Sequence, residues 1–190
     1  MTITSPHLRS RADQSDILLA FAERLRTHAK LNEQNVVIDD QPVPTQFPGG
    51  GFCVCVAPGA GEFPGEMWTG GHHATATEDG SVIVGIYATN RRDRPGRGER
   101  RVTGRADHID TRRPALLAWK RQILQLLLVE TPAHGTMSQA WEPDIDGVPL
   151  LRDQPVPKRC TAVLDVPEHD GWIGLQITFA IAWDWDLYAS

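Results

Sequence analysis

Residues 172–185 read WIGLQITFAIAWDW, and this stretch decides the fold. Its odd positions are large and apolar: Ile173, Leu175, Ile177, Phe179, Ile181, Trp183 and Trp185. Its even positions are mostly small or polar: Gly174, Gln176, Thr178, Ala180, Ala182 and Asp184. Alternation of period two is the mark of a β-strand with one buried face, the other turned to water or to a partner. At roughly 3.3 Å per residue an unbroken strand of this length reaches about 45 Å, long for a small domain. The rest of the chain is then whatever that apolar face packs against.

Immediately upstream, Cys160–Val166 reads as a strand and Glu168–Gly171 as a turn, so the chain ends in a hairpin. Before it, the connection 131–158 is rich in proline, with Trp141 its only large anchor, and a connection this long is often functional or ordered by a partner. A helix is expected over 112–130, capped by Asp110 or Thr111, with Pro114 in its first turn. Leu116, Leu117, Ile123, Leu124, Leu127 and Leu128 form its apolar face.

The N-terminal half adds a first helix over 15–30, with Ser15 as N-cap and Asp16 in the first turn. Ile17, Leu18, Phe21 and Leu25 share one of its faces. Strands follow at Val36–Ile38, Phe52–Ala57, His73–Thr77 and Ser81–Ala88, with Asp79-Gly80 expected as the tight turn of a hairpin. The economical solution is one α+β domain over 15–190, behind a flexible arm at 1–14. Its mixed, mainly antiparallel sheet carries two helices packed on one face, a long hairpin arm and the long C-terminal strand.

Composition narrows the function. The 190 residues carry a net charge of −5, with 41% hydrophobic and 23% charged residues, as a globular domain with a sizeable core requires. No apolar run approaches the roughly 20 residues of a membrane span, and residues 1–14 lack the apolar centre of a secretory signal. Cys53, Cys55 and Cys160 make an odd count without secretory context, which argues against a disulfide framework. Cys53 and Cys55 fall on the same side of one strand, about 6.6 Å apart, too far for an unstrained bridge.

Catalytic patterns are thin. His72-His73 with the three cysteines could supply metal ligands, but C-x-C and adjacent histidines converge poorly on one ion. The glycine runs at 49–51 and 59–61 lack the lysine and the strand-turn-helix setting of a phosphate loop. There is no G-x-S-x-G, and the spacing of Asp39, Asp40, Asp144, Asp146, Asp184 and Asp186 fixes no acid/base pair. No cofactor or metal is implied, and an enzyme is not the expected reading.

Two features point instead to contacts. Arg91, Arg92, Arg94, Arg97, Arg100, Arg101 and Arg105 stand against only Asp93 and Glu99, so the loop 90–105 carries +5 and the rest of the chain −10. Such a loop suits the phosphates of nucleic acid, an acidic protein surface such as a sister subunit, or simply solvent. No aromatic residue interrupts 91–105, which disfavours stacking on single strands. Trp68, Trp141 and Trp172 lie off the expected core face, where they suit a subunit interface or cap the ends of the core.

The helix at 15–30, the hairpin with its long arm near 81–105, the helix at 112–130 and the terminal run Gly171–Phe179 together resemble the tail terminator (tail completion) proteins of long-tailed bacteriophages and related particles. The resemblance is a pattern of elements covering most of the chain. It implies an α+β subunit without catalysis that assembles as a hexameric ring, stops growth of the tail tube and joins tail to head. Its implied partners are copies of itself, the tail tube protein and the neck or head-completion proteins, with non-specific contact to packaged DNA through the arginine loop. Its implied place is the virion at the tail–neck junction, after assembly in the host cytoplasm. Another neck or head-completion protein of the same particle fits the same pattern. The rival from another class is a small cytoplasmic metal- or ligand-binding enzyme using the Gly-rich 49–71 region as a pocket lip.

Overall fold

The computed structural model describes residues 13–48, 51–62, 67–70, 73–89, 116–129, 140–145, 148–167, 169 and 171–186. The last strand is realised nearly as its alternation demands: β9 spans Trp172–Asp186. Ile173, Leu175, Ile177, Phe179, Ile181 and Trp183 are all buried on one face. Its antiparallel partner is β4, His73–Thr89, in register from Thr75 opposite Asp186 to Thr89 opposite Trp172. These two strands form the spine of a seven-stranded sheet. Its order is β1 (Val36–Ile38), β2 (Phe52–Pro58), β4, β9 and β7 (Val156–Cys160). Strand β3 (Met67–Gly70) pairs with β4, and β8 (Leu164–Asp165) pairs with β9. Only β1 and β2 run parallel, so the sheet is mixed and mainly antiparallel. A separate small hairpin joins β5 (Asp144–Ile145) and β6 (Val148–Pro149).

Asp79-Gly80 is not a turn. Both residues lie inside β4, opposite Ala182 and Ile181, and the chain reverses instead between Gly70 and His73, which face each other across β3 and β4. The glycine is there for packing: a Cβ on Gly80 would sit 2.7 Å from the Trp183 ring, so its absence leaves room for a fully buried indole. The two expected strands therefore fuse into one of 17 residues.

Two helices cover one face of the sheet. Helix α1 spans Gln14–Arg26 and starts from Asp13, not Ser15. The Asp16 amide donates to the Asp13 carboxylate at 3.0 Å and the Asp13 amide to the Asp16 carboxylate at 3.1 Å. This reciprocal box satisfies two orphan amides, which a serine two residues later would not. Asp13 and Gln14 thus belong to the domain and not to an N-terminal arm; residues 1–12 lie outside the described residues. Helix α2 spans Leu116–Leu128 and buries Leu116, Trp119, Ile123 and Leu127; the expected caps at Asp110 or Thr111 fall outside the described residues.

Arg24 ties the two helices together. The Arg24 guanidinium donates to the carbonyls of Leu126 at 2.9 Å and Val129 at 3.1 Å, supplying donors to the C-terminal end of α2, and lies 5.7 Å from the Trp141 ring centre. Trp141 in turn meets Phe21 edge to face at 5.1 Å, and Phe21 meets Phe179 at 5.9 Å. This core runs from α1 through the rings to β9.

The connection 131–158 holds more structure than its prolines announce. Besides the β5–β6 hairpin, it contributes the first residues of β7, whose edge pairing tolerates Pro157 through a shift of register before Arg159. No described helix is long and apolar enough to cross a membrane.

Candidate assembly surfaces

The face of the sheet opposite the helices was expected to meet water or a partner. Over its lower half it is instead covered by the chain's own segment 39–48, which crosses it as a strap. Asp39 anchors the strap: its carboxylate accepts from the amides of Thr45 at 2.9 Å and Gln41 at 3.2 Å, and these bonds hold its pKa below the ordinary carboxyl value. Further along, the Tyr87 hydroxyl donates to the Pro42 carbonyl at 2.5 Å and accepts from the Gln176 amide at 3.1 Å. Phe47 stacks on Trp172 at 4.0 Å and meets Tyr87 edge to face at 5.4 Å. Tyr87 itself lies flat over Gly174, its cross-strand partner, where a Cβ would come within 2.2 Å of the ring.

Cys53 and Cys55 sit beneath this strap, both fully buried and on the same side of β2. Burial disfavours the thiolate, raising the Cys53 pKa to about 12 and that of Cys55 at least as strongly. A thiol held protonated at neutral pH is a poor nucleophile. Cys55 instead donates weakly to the Gln41 carbonyl at 3.5 Å. Among the described residues no three His, Cys, Asp or Glu side chains gather to hold a metal ion.

A cleft of about 130 Å³ opens between the strap and β8, lined by Val43, Tyr87, Leu164, Val166 and Gln176. It is smaller than the roughly 300–1,000 Å³ of ordinary ligand sites. Of the Gly-rich 49–71 region the described residues include strand over Phe52–Pro58 and Met67–Gly70, with Gly59 bonding to Ser81 and Glu62 bridging Asp79 along β4, and none of them lines this cleft.

The expected contact residues fare unequally. Arg91, Arg92, Arg94, Arg97, Arg100, Arg101 and Arg105 all lie outside the described residues. Trp68 falls in β3, opposite Thr75, and not in a loop. Of the two readings for Trp141, interface or cap on the core, the second is the one its surroundings match: it is 7% exposed, between Phe21 and Arg24. Trp172 is half-buried, with one side of its ring spent on Phe47.

Two kinds of surface remain. One is an arm: β4 continues past the end of β2, flanked by β3 on one side and by the last residues of β9 on the other. Beside it, Arg152 pairs with Asp184 at 3.7 Å, and Asp184 accepts from the Thr77 hydroxyl at 2.7 Å. The other is the pair of sheet edges. Ile38 on β1 is 42% exposed, while Val156 and Leu164 on β7 and β8 are 45% and 63% exposed. Periodicity could not reveal either edge, because both strands are short. No protein-family model matches this sequence, and no curated protein matches it.

Proposed function

We propose that this chain is a structural subunit of a bacteriophage tail or related particle: a tail terminator that assembles as a ring, caps the tail tube and joins it to the neck. What supports the reading most is the β4–β9 spine, paired along the whole of β9 and carried by β3 into an arm beyond the body of the sheet. A long strand pair of this kind serves to reach a neighbouring subunit or a tube, and no reacting group is needed for it. The α+β layering, with two helices on one face, agrees with the element pattern that carries the resemblance. In this reading the arginines of 90–105 face packaged DNA or an acidic protein surface, and their charge makes the contact salt-sensitive.

The test is particle assembly in the chain's native phage or particle system. Without the chain, tails of irregular length should accumulate apart from heads, and supplying it should restore joined particles. Normal particles formed in its absence would contradict the proposal.

A further inference from the structure

We propose that the cleft between the strap and β8 is a binding site for a small neutral amide, a carboxamide group carried on an apolar body the size of one benzene ring. This site owes nothing to the tail-terminator reading and stands or falls without it. Two features of the sheet open the cleft. Gly174 on β9 has no side chain to fill it. Between the pairs Cys160–Ile177 and Leu164–Gly174 the edge chain advances from 160 to 164 while β9 moves only from 177 to 174, so one extra residue bulges from the edge. The space of about 130 Å³ is too small for a nucleotide but close to the roughly 150 Å³ that admits benzene to an apolar cavity. Val43 on the strap side and Leu164 and Val166 on the β8 side supply its apolar walls.

The polar groups that line the cleft have a fixed sense. The Tyr87 hydroxyl gives its proton to the Pro42 carbonyl, so toward Gln176 it can only accept. The Gln176 carboxamide must therefore turn its NH₂ to Tyr87 and its Oε1 away. Thr161 Oγ1 accepts from the Gln176 main-chain amide at 2.9 Å, which leaves the hydroxyl proton to be given. Among the described residues nothing donates to Gln176 Oε1 and nothing accepts from the Thr161 hydroxyl. The lining thus offers one unspent acceptor and one unspent donor beside apolar walls. A carboxamide answers both, its NH₂ donating to Gln176 Oε1 and its carbonyl accepting from Thr161. A plain hydrocarbon would cover both groups and satisfy neither, which weakens binding. Among the described residues that line the cleft only Asp165 is charged, and it is exposed. It repels a carboxylate, while solvent screening leaves it little attraction for a cation.

The experiment uses the full-length chain with isotope-labelled Leu and Val methyl groups, read by NMR at Val43, Leu164 and Val166 as benzamide is added. Benzamide should shift these methyls saturably with a Kd of about 1–10 mM, the range open to so small a ligand. Toluene, benzoate and benzylamine should each bind more than about tenfold more weakly. Thr161→Val should bring benzamide down to the level of toluene, and Thr161→Ser, which keeps the hydroxyl, should not. Leu164→Trp, at an exposed position, should fill the cleft and abolish the shifts. Circular dichroism checks that each variant stays folded, and the ranking of ligands on the wild-type chain decides the matter where one does not. Methyls that ignore benzamide, or toluene, benzoate or benzylamine binding as tightly as benzamide, would overturn the proposal. So would unchanged benzamide binding by folded Thr161→Val or Leu164→Trp chains.

Discussion

The two faces of the β4–β9 spine are built from the same two strands and are closed in different ways. On one, Phe21 of α1 meets Trp141 and Phe179 edge to face, and Phe21, Phe179 and Trp183 are fully buried. On the other, a proline-containing strap is laid across Cys53, Cys55 and Tyr87, held by a few hydrogen bonds and by half-buried Phe47. The first closure is cooperative packing; the second is a cover that local fluctuation can lift, since few buried contacts hold it. A sheet so arranged draws most of its stability from one side.

That contrast can be broken most forcefully at Gly80. Gly80→Val pushes a branched side chain into the Trp183 ring, which already lies within 2.7 Å of where a Cβ would be. Overpacking of this kind costs about 1–3 kcal/mol or more, and chemical denaturation should show it as a lower midpoint with unchanged slope. A neutral result would mean that the indole has room to move, and that the helix face is no tighter than the strap face.

The next largest effect belongs to the strap. Phe47→Ala removes a half-buried ring stacked on Trp172 and should cost about 1–2 kcal/mol. Its sharper readout is thiol labelling. In the wild-type chain at neutral pH the exposed Cys160 should react readily, and Cys53 and Cys55 only through opening. Phe47→Ala should accelerate labelling of those two beyond what its global destabilisation explains. Labelling that tracks global unfolding alone would show that strap and core open together.

The smallest effect is the strap's anchor. The Asp39 carboxyl has a folded pKa below its unfolded one, so it stabilises the fold fully above the ordinary carboxyl pKa of about 3.9, and the contribution is lost as pH falls through the lowered value. Asp39→Asn should therefore weaken the protein slightly at pH 7, with the difference from wild type vanishing in acid. A difference that persists below that range would assign the loss to the geometry of the strap and not to its charge.

The sequence made the helix face legible because regular elements write their burial as a period. The alternation in β9 and the spacing of Ile17, Phe21 and Leu25 in α1 each place one apolar row. Where the chain is irregular that code is silent. Val43 and Phe47 in the strap, and Trp141 in the proline-rich connection, pack against distant elements with no spacing to reveal it. Local signals also misled when a tertiary partner outweighed them. Asp79-Gly80 has the residues of a turn, yet the glycine answers to Trp183 across the sheet. Ser15 is a good cap, yet the Asp13–Asp16 box satisfies more amides. For the candidate site, only the apolar and charged residue types could be read; that Ile38 and Val156 stand on opposite edges depends on the strand order.

The central claim is that this chain acts by associating with itself, and the molar mass of the purified protein in sedimentation velocity, followed over a wide range of concentration, tests it most directly. The account predicts a mass that rises with concentration to a closed oligomer and falls back as salt is added. A single species of about the 21.0 kDa of one chain at every concentration and salt level would contradict it.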